Sequence, residues 1–255
     1  MTKTITMTSL FLIALIAVPS AGAFGLEFAV GGWIQNPSGT LGYEALTPGD
    51  LLDVEDDLNY EDETRWSARL SIDMPLFLPN IALMATPMEY SATGQKADGF
   101  KFGDVTFDPG PFYSETVLNN LDIALYYGLP FLETATDGIL AIDLGLNVRI
   151  YDYSLEIHQA SSGLNETEDG TFPVPMVYLA ARFQPIERLS LEAEARGITY
   201  SGNDIYSLIG RVKVRIVGPL FAAGGYRYEK TKLDEEDVQA DIEFSGPFLE
   251  AGFAF

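Results

Sequence analysis

The feature that most limits what this chain can fold into is an alternation of residue character at period two, repeated along its length. In the clearest stretch Leu140, Ile142, Leu144, Leu146, Val148 and Ile150 alternate with Ala141, Asp143, Gly145, Asn147, Arg149 and Tyr151. Successive side chains of a strand point to opposite faces, so one face here is wholly apolar and the other small, polar or charged. The same division sets Trp66, Ala68, Leu70, Ile72 and Met74 against Arg65, Ser67, Arg69, Ser71 and Asp73. It sets Tyr206, Leu208, Gly210, Val212, Val214 and Ile216 against Ser207, Ile209, Arg211, Lys213 and Arg215, and Leu189, Leu191, Ala193 and Ala195 against Ser190, Glu192, Glu194 and Arg196.

A soluble sandwich alternates too, with its polar face in water. Two details favour a membrane barrel. The alternating stretches run about 9–12 residues, the length that crosses hydrocarbon at a steep tilt. Aromatic residues gather at the ends of the apolar faces (Trp66, Tyr126, Tyr127, Tyr206, Tyr226, Tyr228, Phe253, Phe255), as interfacial girdles do. The sequence closes on an alternating segment ending in Phe253 and Phe255, which reads as a C-terminal targeting signal for the barrel-assembly machinery.

The fold expected is therefore all-β: a transmembrane antiparallel up-and-down barrel of about ten strands, with eight the alternative. The strands fall at 24–34, 64–74, 81–91, 115–127, 139–153, 173–184, 189–200, 204–217, 219–230 and 241–255. The third is the least regular, because Pro87 interrupts it and its faces are not cleanly separated. Short links at 74–80, 128–138, 184–188 and 217–219 alternate with long ones at 35–63, 92–114, 154–172 and 231–240, the tight turn at Ser201-Gly202-Asn203 excepted. Short periplasmic turns and longer outer loops are the usual barrel arrangement, and an even strand number puts both termini on the periplasmic side.

The N-terminus agrees. Lys3, an apolar run from Ile5 to Val18 and the small residues Ala21-Gly22-Ala23 make a cleavable export signal over 1–23, leaving 24–255 as one barrel domain in the outer membrane. No later segment has the ~20 uninterrupted apolar residues of a spanning helix. There is no cysteine, which removes disulfides and thiolate metal sites. A net charge of −22 excludes nucleic acid as a partner.

Placing the apolar faces in lipid sends a second set of residues inward. The cations are Arg65, Arg69, Arg149, Arg182, Arg196, Arg211, Lys213, Arg215 and Arg227; the anions are Glu27, Asp73, Asp122, Asp143, Glu192, Glu194, Glu229 and Glu250. Nine against eight is close to balance, and charges in a narrow interior persist when they are paired. A cross-lumen charge network that largely fills the barrel is the expectation. The acidic excess then belongs to the loops. Glu44, Asp50, Asp53, Glu55, Asp56, Asp57, Glu61, Asp62 and Glu63 crowd the first, Glu166, Glu168 and Asp169 mark the third, and Asp234, Glu235, Glu236 and Asp237 the fifth. Solvated outer loops are the plain reading. Divalent cations are the sharper one, since hard ions favour clustered carboxylates. Asp53, Glu55, Asp57 and Asn59 alternate somewhat like a calcium-binding loop, without its central Gly or closing Glu.

His158, near Glu156, is the single histidine. No nucleophile motif accompanies it, so the sequence assembles no catalytic set and implies no cofactor.

Four blocks resemble an uncharacterised family of small outer-membrane β-barrel proteins from Gram-negative bacteria: Asp143–Arg149, Pro173–Tyr178 with Ala181-Arg182-Phe183, Asp241–Leu249 and Trp33–Gly39. Together they touch most of the 24–255 region, and the Met- and Ala-rich third strand departs from the regularity of such barrels. The resemblance implies the architecture and lends no catalytic residues. The reading is a structural or surface-interaction barrel, in contact with outer-membrane lipid and presenting acidic loops. The alternatives are a narrow channel for small solutes and an enzyme at the outer rim.

Overall fold

The computed structural model describes residues 25–75, 77–234 and 238–255. The export signal expected over 1–23 and the loop acids Glu235, Glu236 and Asp237 lie outside them. Among the described residues are fourteen strands, one 3-10 turn (Pro48–Asp50) and one α-helical turn: β1 (Gly25–Tyr43), β2 (Leu52–Asp53), β3 (Glu63–Asp73), β4 (Asn80–Thr86), β5 (Glu89–Lys96), β6 (Phe100–Phe102), β7 (Val105–Phe107), β8 (Gly110–Gly128), α1 (Leu132–Ala135), β9 (Leu140–Gln159), β10 (Leu164–Ile186), β11 (Leu189–Tyr200), β12 (Asn203–Val217), β13 (Leu220–Asp234) and β14 (Val238–Ala254).

Ten staves close into an antiparallel barrel. Each pairs with its sequence neighbour, and β14 returns to β1 in the register Glu27↔Ala254 through Tyr43↔Val238. Closure removes the free edges that lipid cannot satisfy, which is why strands cross a membrane only as barrels. Among the described residues no helix is long and apolar enough to cross instead. The apolar faces turn outward and form a belt in which Leu146, Val177, Ile216 and Leu249 are more than half exposed. That is the reverse of a soluble protein and is the condition of a lipid-facing surface.

The third stave is one strand in two pieces. β4 pairs with β3 and with the periplasmic half of β8, and β5 pairs with the outer half of β8 alone. The expected strand at 81–91 is thus corrected to 80–86 and 89–96, broken at Pro87, which has no N–H to give a ladder. Side chains satisfy the freed backbone: Gln35 Nε2 donates to the Pro87 carbonyl at 3.0 Å, and the Met88 N–H donates to Asn119 Oδ1 at 2.9 Å.

Most of the expected long loops are strand as well. β1 continues to Tyr43, β9 to Gln159 and β13 to Asp234, while β10 begins at Leu164 and β14 at Val238, so the segments 154–172 and 231–240 are mostly hairpin. What changes beyond the belt is the phase of the alternation. On β9 the outward residues up to Ile150 are apolar, and those after it are Asp152, Ser154, Glu156 and His158. The inward residues pass from Asn147 and Arg149 to Leu155 and Ile157, both buried. The barrel is inside-out in lipid and conventional in water, on one continuous strand.

The outer half encloses an apolar core supplied by the remaining loops. Leu52, Val54, Leu58 and Tyr60 fold in from the β1–β3 connection, and Phe100, Phe102, Phe107 and Phe112 from the β5–β8 connection and the start of β8, against Trp33, Phe244 and Phe248 of the wall. Tyr90 stacks between Tyr60 and Phe244 with ring centroids 5.6 and 5.5 Å away. The two loops meet at close quarters: the Gln95 N–H donates to the Asp57 carbonyl at 2.9 Å, and a Cβ on Gly94 would lie 2.1 Å from that oxygen.

Candidate functional site

The inward-facing polar residues of the membrane-spanning staves form three groups. The middle one is centred on Arg149 of β9, which is 1% exposed in its side chain. Its Nε and Nη2 donate to the two carboxylate oxygens of Asp122 on the neighbouring β8 at 2.9 and 2.8 Å, the bidentate fork that guanidinium geometry favours. Its Nη1 crosses the lumen to Glu229 of β13 at 2.6 Å. Glu229 also accepts from Ser207 Oγ at 2.6 Å and from Arg227 Nε at 2.7 Å. Arg227 in turn reaches Thr86 Oγ1 on the opposite wall at 2.9 Å, with its guanidinium 4.5 Å from the centre of the Trp33 ring. Asn147 Nδ2 donates to Asp122 Oδ1 at 2.7 Å.

Toward the periplasm Arg69 of β3 pairs across the lumen with Glu194 of β11, which also takes Arg196 at 2.8 Å. The Arg196 guanidinium lies 5.2 Å from the centre of the Tyr178 ring. The third group is centred on Arg211 of β12. It meets Glu27 of β1 at 2.8 Å, Glu192 of β11 at 2.5 Å and Glu250 of β14, and Lys213 joins Glu27 at 2.9 Å and Glu192 at 2.6 Å. Three acids around one guanidinium and one ammonium satisfy charges that hydrocarbon-embedded walls could not leave alone.

Five of the residues singled out by sequence stand apart from these groups. Arg65 sits near the outer end, 3.9 Å from Glu63 and from Glu89 and donating to the Glu89 carbonyl. Arg182 pairs with Glu133 of α1 at 2.9 Å. Asp73, Asp143 and Arg215 border a polar vestibule of about 500 Å³ at the periplasmic end, together with Glu27, Arg182 and Lys213. Sequence reasoning by charge alone missed the neutral members, Ser207, Thr86, Asn147 and Trp33. Their signal was position: each falls on an inward-facing register of its strand.

The acidic loops are less free than their composition suggests. Lys96 Nζ pairs with Asp57 and donates to the Leu51 carbonyl at 2.9 Å, and Lys101 Nζ lies 3.1 Å from Glu44. Asp50 caps its own turn, accepting from the Thr47 N–H at 2.8 Å and the Lys101 N–H at 2.7 Å. The Lys101 N–H, ahead of the Thr47 bonds, holds the Asp50 carboxyl below its ordinary range. At the weak calcium candidate, Asp53 Oδ1 accepts the N–H groups of Glu55 and Asp56 at 2.9 Å each, Asp57 faces Lys96, and Asn59 has a left-handed φ of 57°. These carboxylates are engaged in holding a turn. No cluster of three or more His, Cys, Asp or Glu side chains that could hold a metal ion occurs among the described residues. His158 is exposed on the outward face of β9, in register with Tyr113 of β8 and Asn165 of β10. The C-terminal Phe253 and Phe255 also face outward, with their rings stacked 6.3 Å apart at the periplasmic end of β14.

A second cavity, of about 770 Å³, lies in the outer half of the barrel, above Arg149 and beside the loop core. Its lining runs from Tyr151, Tyr153 and Leu155 of β9 past Phe172 and Val174 of β10 to Ile198, Ile205 and Leu233.

No protein-family model matches the chain, and no curated protein does. Solved structures do. The chain is similar to the outer-membrane protease OmpT from Escherichia coli at 11% identity over 92% of this chain and 99% of that one, with a TM-score of 0.51. The translocator domain of autotransporter NalP from Neisseria meningitidis aligns at 11% identity over 92% of this chain and 89% of that one, TM-score 0.44. The attachment invasion locus protein Ail of Yersinia pestis aligns at 8% over 91% and 99%, TM-score 0.37. At such identities the likeness to OmpT is one of fold. The closed barrel, its lipid-facing belt and that fold make this a β-barrel of the Gram-negative outer membrane.

Proposed function

We propose that this outer-membrane barrel is a closed, non-conducting scaffold whose working surface is its extracellular end. One observation carries the reading: the Arg149–Asp122 and Arg149–Glu229 pairs join β8 and β9 to β13 across the lumen with every partner side chain at 3% exposure or less. An ion permeating that layer would have to displace charge-assisted bonds inside a low-dielectric wall, and removing one partner of such a pair costs about 3–5 kcal/mol. The loop core above it adds apolar side chains that offer an ion no hydration. Acidic side chains at the loop rim supply the face a partner meets, and the cations from the neighbouring loop fix its shape.

The alternative of a narrow solute channel is what the periplasmic vestibule would serve if the Arg149 layer opened. Planar-bilayer recording on the refolded protein separates the two. The closed reading expects bilayers containing folded barrel to stay at baseline conductance. Resolved unitary steps at ordinary ionic strength would overturn it.

A further inference from the structure

The outer cavity is unlike the rest of the molecule. The protein carries 37 acidic and 15 basic residues, yet among the described residues no Asp, Glu, Lys, Arg or His lines this space. Protein interiors are packed to crystal-like density, with few voids larger than a water, so about 770 Å³ left open beside a dense aromatic core is not ordinary packing slack. The volume falls inside the range of small-molecule sites, roughly 300–1,000 Å³, and the wall has their usual make-up, mostly apolar with a few hydroxyls and the amides of Asn203 and Gln239. Tyr151 is a polar group at the base; its hydroxyl lies 3.1 Å from Thr231 Oγ1 and accepts from Arg149 Nη1 below the cavity at 3.3 Å.

The wall is also incomplete on one side. The β10–β11 ladder ends at Val177↔Gly197, although β11 continues to Tyr200 paired with β12, and β10 continues outward paired with β9. Pro173 and Pro175 stand on the β10 lip of this seam and Ile198 and Tyr200 on the other, and all four border the cavity. Two prolines of the same backbone parity cannot donate to a ladder, so the sequence itself keeps this edge unzipped. Tyr200 is 74% exposed there, and the lipid-facing belt of β10 begins at Val177 just below. The cavity therefore opens sideways at the height where membrane meets water.

We infer that this cavity is a binding site for an uncharged, largely apolar small molecule. A charged ligand would be desolvated against described lining residues that offer no counter-ion, and the acidic loops around the mouth further disfavour an anion. A neutral ligand replaces weakly held water against aromatic and aliphatic walls and leaves at most one or two polar atoms to the hydroxyl and amide groups of the lining. The base of the cavity is Tyr151, with the Arg149 layer beneath it, so the site borders the proposed closed interior without including its charged groups.

The test uses the full mature chain in phosphatidylcholine nanodiscs and two fluorescent probes of nearly the same shape. These are uncharged N-phenyl-1-naphthylamine and its sulfonated analogue 1-anilinonaphthalene-8-sulfonate. The uncharged probe is expected to show a saturable fluorescence increase above empty nanodiscs, and the sulfonated one to bind at least about tenfold more weakly. Ala240→Trp fills the space from β14 and Val174→Trp fills it from β10. Heat-dependent gel mobility identifies whichever variant folds, and that variant is expected to lose at least about tenfold in affinity. No saturable signal above empty nanodiscs, equal binding of the two probes, or undiminished binding by a folded filled variant overturns the inference. Conductance is recorded on the same preparation. A barrel that conducts but binds the probe overturns the closed interior and leaves the site standing, whereas a silent barrel that binds nothing overturns the site alone.

Discussion

Replacing Arg149 with Met is the perturbation that most directly probes what fills the lumen. The guanidinium gives Asp122 two of its three donors, and Asn147 alone would remain; Glu229 would keep Ser207 and Arg227. The main loss is therefore one buried carboxylate, 1% exposed, stripped of its counter-ion. Breaking a buried pair in this way costs about 3–5 kcal/mol, whereas replacing both partners by neutral groups of similar size is often close to neutral. Arg149→Met is expected to lose about 3–5 kcal/mol, and the double variant Arg149→Met/Asp122→Asn to recover most of it. Urea unfolding in lipid or detergent, followed by the fluorescence of Trp33 and Trp66, reads the difference. With a slope of about 2 kcal/mol per molar urea the single variant's midpoint falls by roughly 2 M. The double-mutant cycle then isolates the coupling. A single-variant loss below about 1 kcal/mol, the worth of a solvated pair, would refute the idea of a dry interior. A double variant no more stable than the single would show that Asp122 is not where the cost arises.

Two further outcomes are expected besides the conductance and probe-binding results. Asp50→Asn tests the cap on the β1–β3 loop. Because the Asp50 pKa is depressed by the Lys101 and Thr47 N–H groups, its contribution to stability is present above the unfolded carboxyl value and is lost as pH falls through the folded one. Hydrogen exchange in residues 44–60 should therefore lose its acid dependence below about pH 4 in the variant, and an unchanged profile would count against the cap. If the C-terminal aromatic pair addresses the assembly machinery, Phe255 deletion should lower the heat-modifiable, membrane-inserted fraction in cells while the purified chain still folds in detergent. Equal loss in both settings would make the pair a stability element instead.

The membrane-spanning part was legible because lipid imposes a simple rule on it. Leu140 to Ile150 of β9 and Tyr206 to Ile216 of β12 show one apolar face, and both are strands with that face outward. The outer half was not. Ser38-Gly39-Thr40 on β1 and Glu166 through Thr171 on β10 have the composition of loops, and they are strands because each is laddered to a neighbour and backs onto an apolar interior. Neither segment has an apolar stripe on either face (the inward positions of the β10 piece are Glu166, Glu168 and Gly170), so a search for alternation passes over both. The aromatic triplet Phe100, Phe102 and Phe107 carried a second signal, since a solvated acidic loop has no use for three phenylalanines. Charge balance pointed to the inner residues without giving their partners, because pairing across the lumen depends on which staves face one another. Asp73, Asp143 and Arg215 share the inward parity of Asp122 and Arg211, yet sit at the wet end of the barrel, and parity cannot tell depth.

The reversal of faces at Ile150 and Tyr151 also fixes how deep the protein sits. Were the barrel to sink by one pair of residues, Asp152 and its counterparts around the rim would enter hydrocarbon. Were it to rise, Val148 and Val177 would be lifted into water. Charged groups on a lipid face cost up to roughly 2–4 kcal/mol at mid-membrane and less near the interface, and the toll repeats on several staves at once. The chain thus carries its own waterline, and the side seam between β10 and β11 is held at that waterline whatever the barrel's surroundings do.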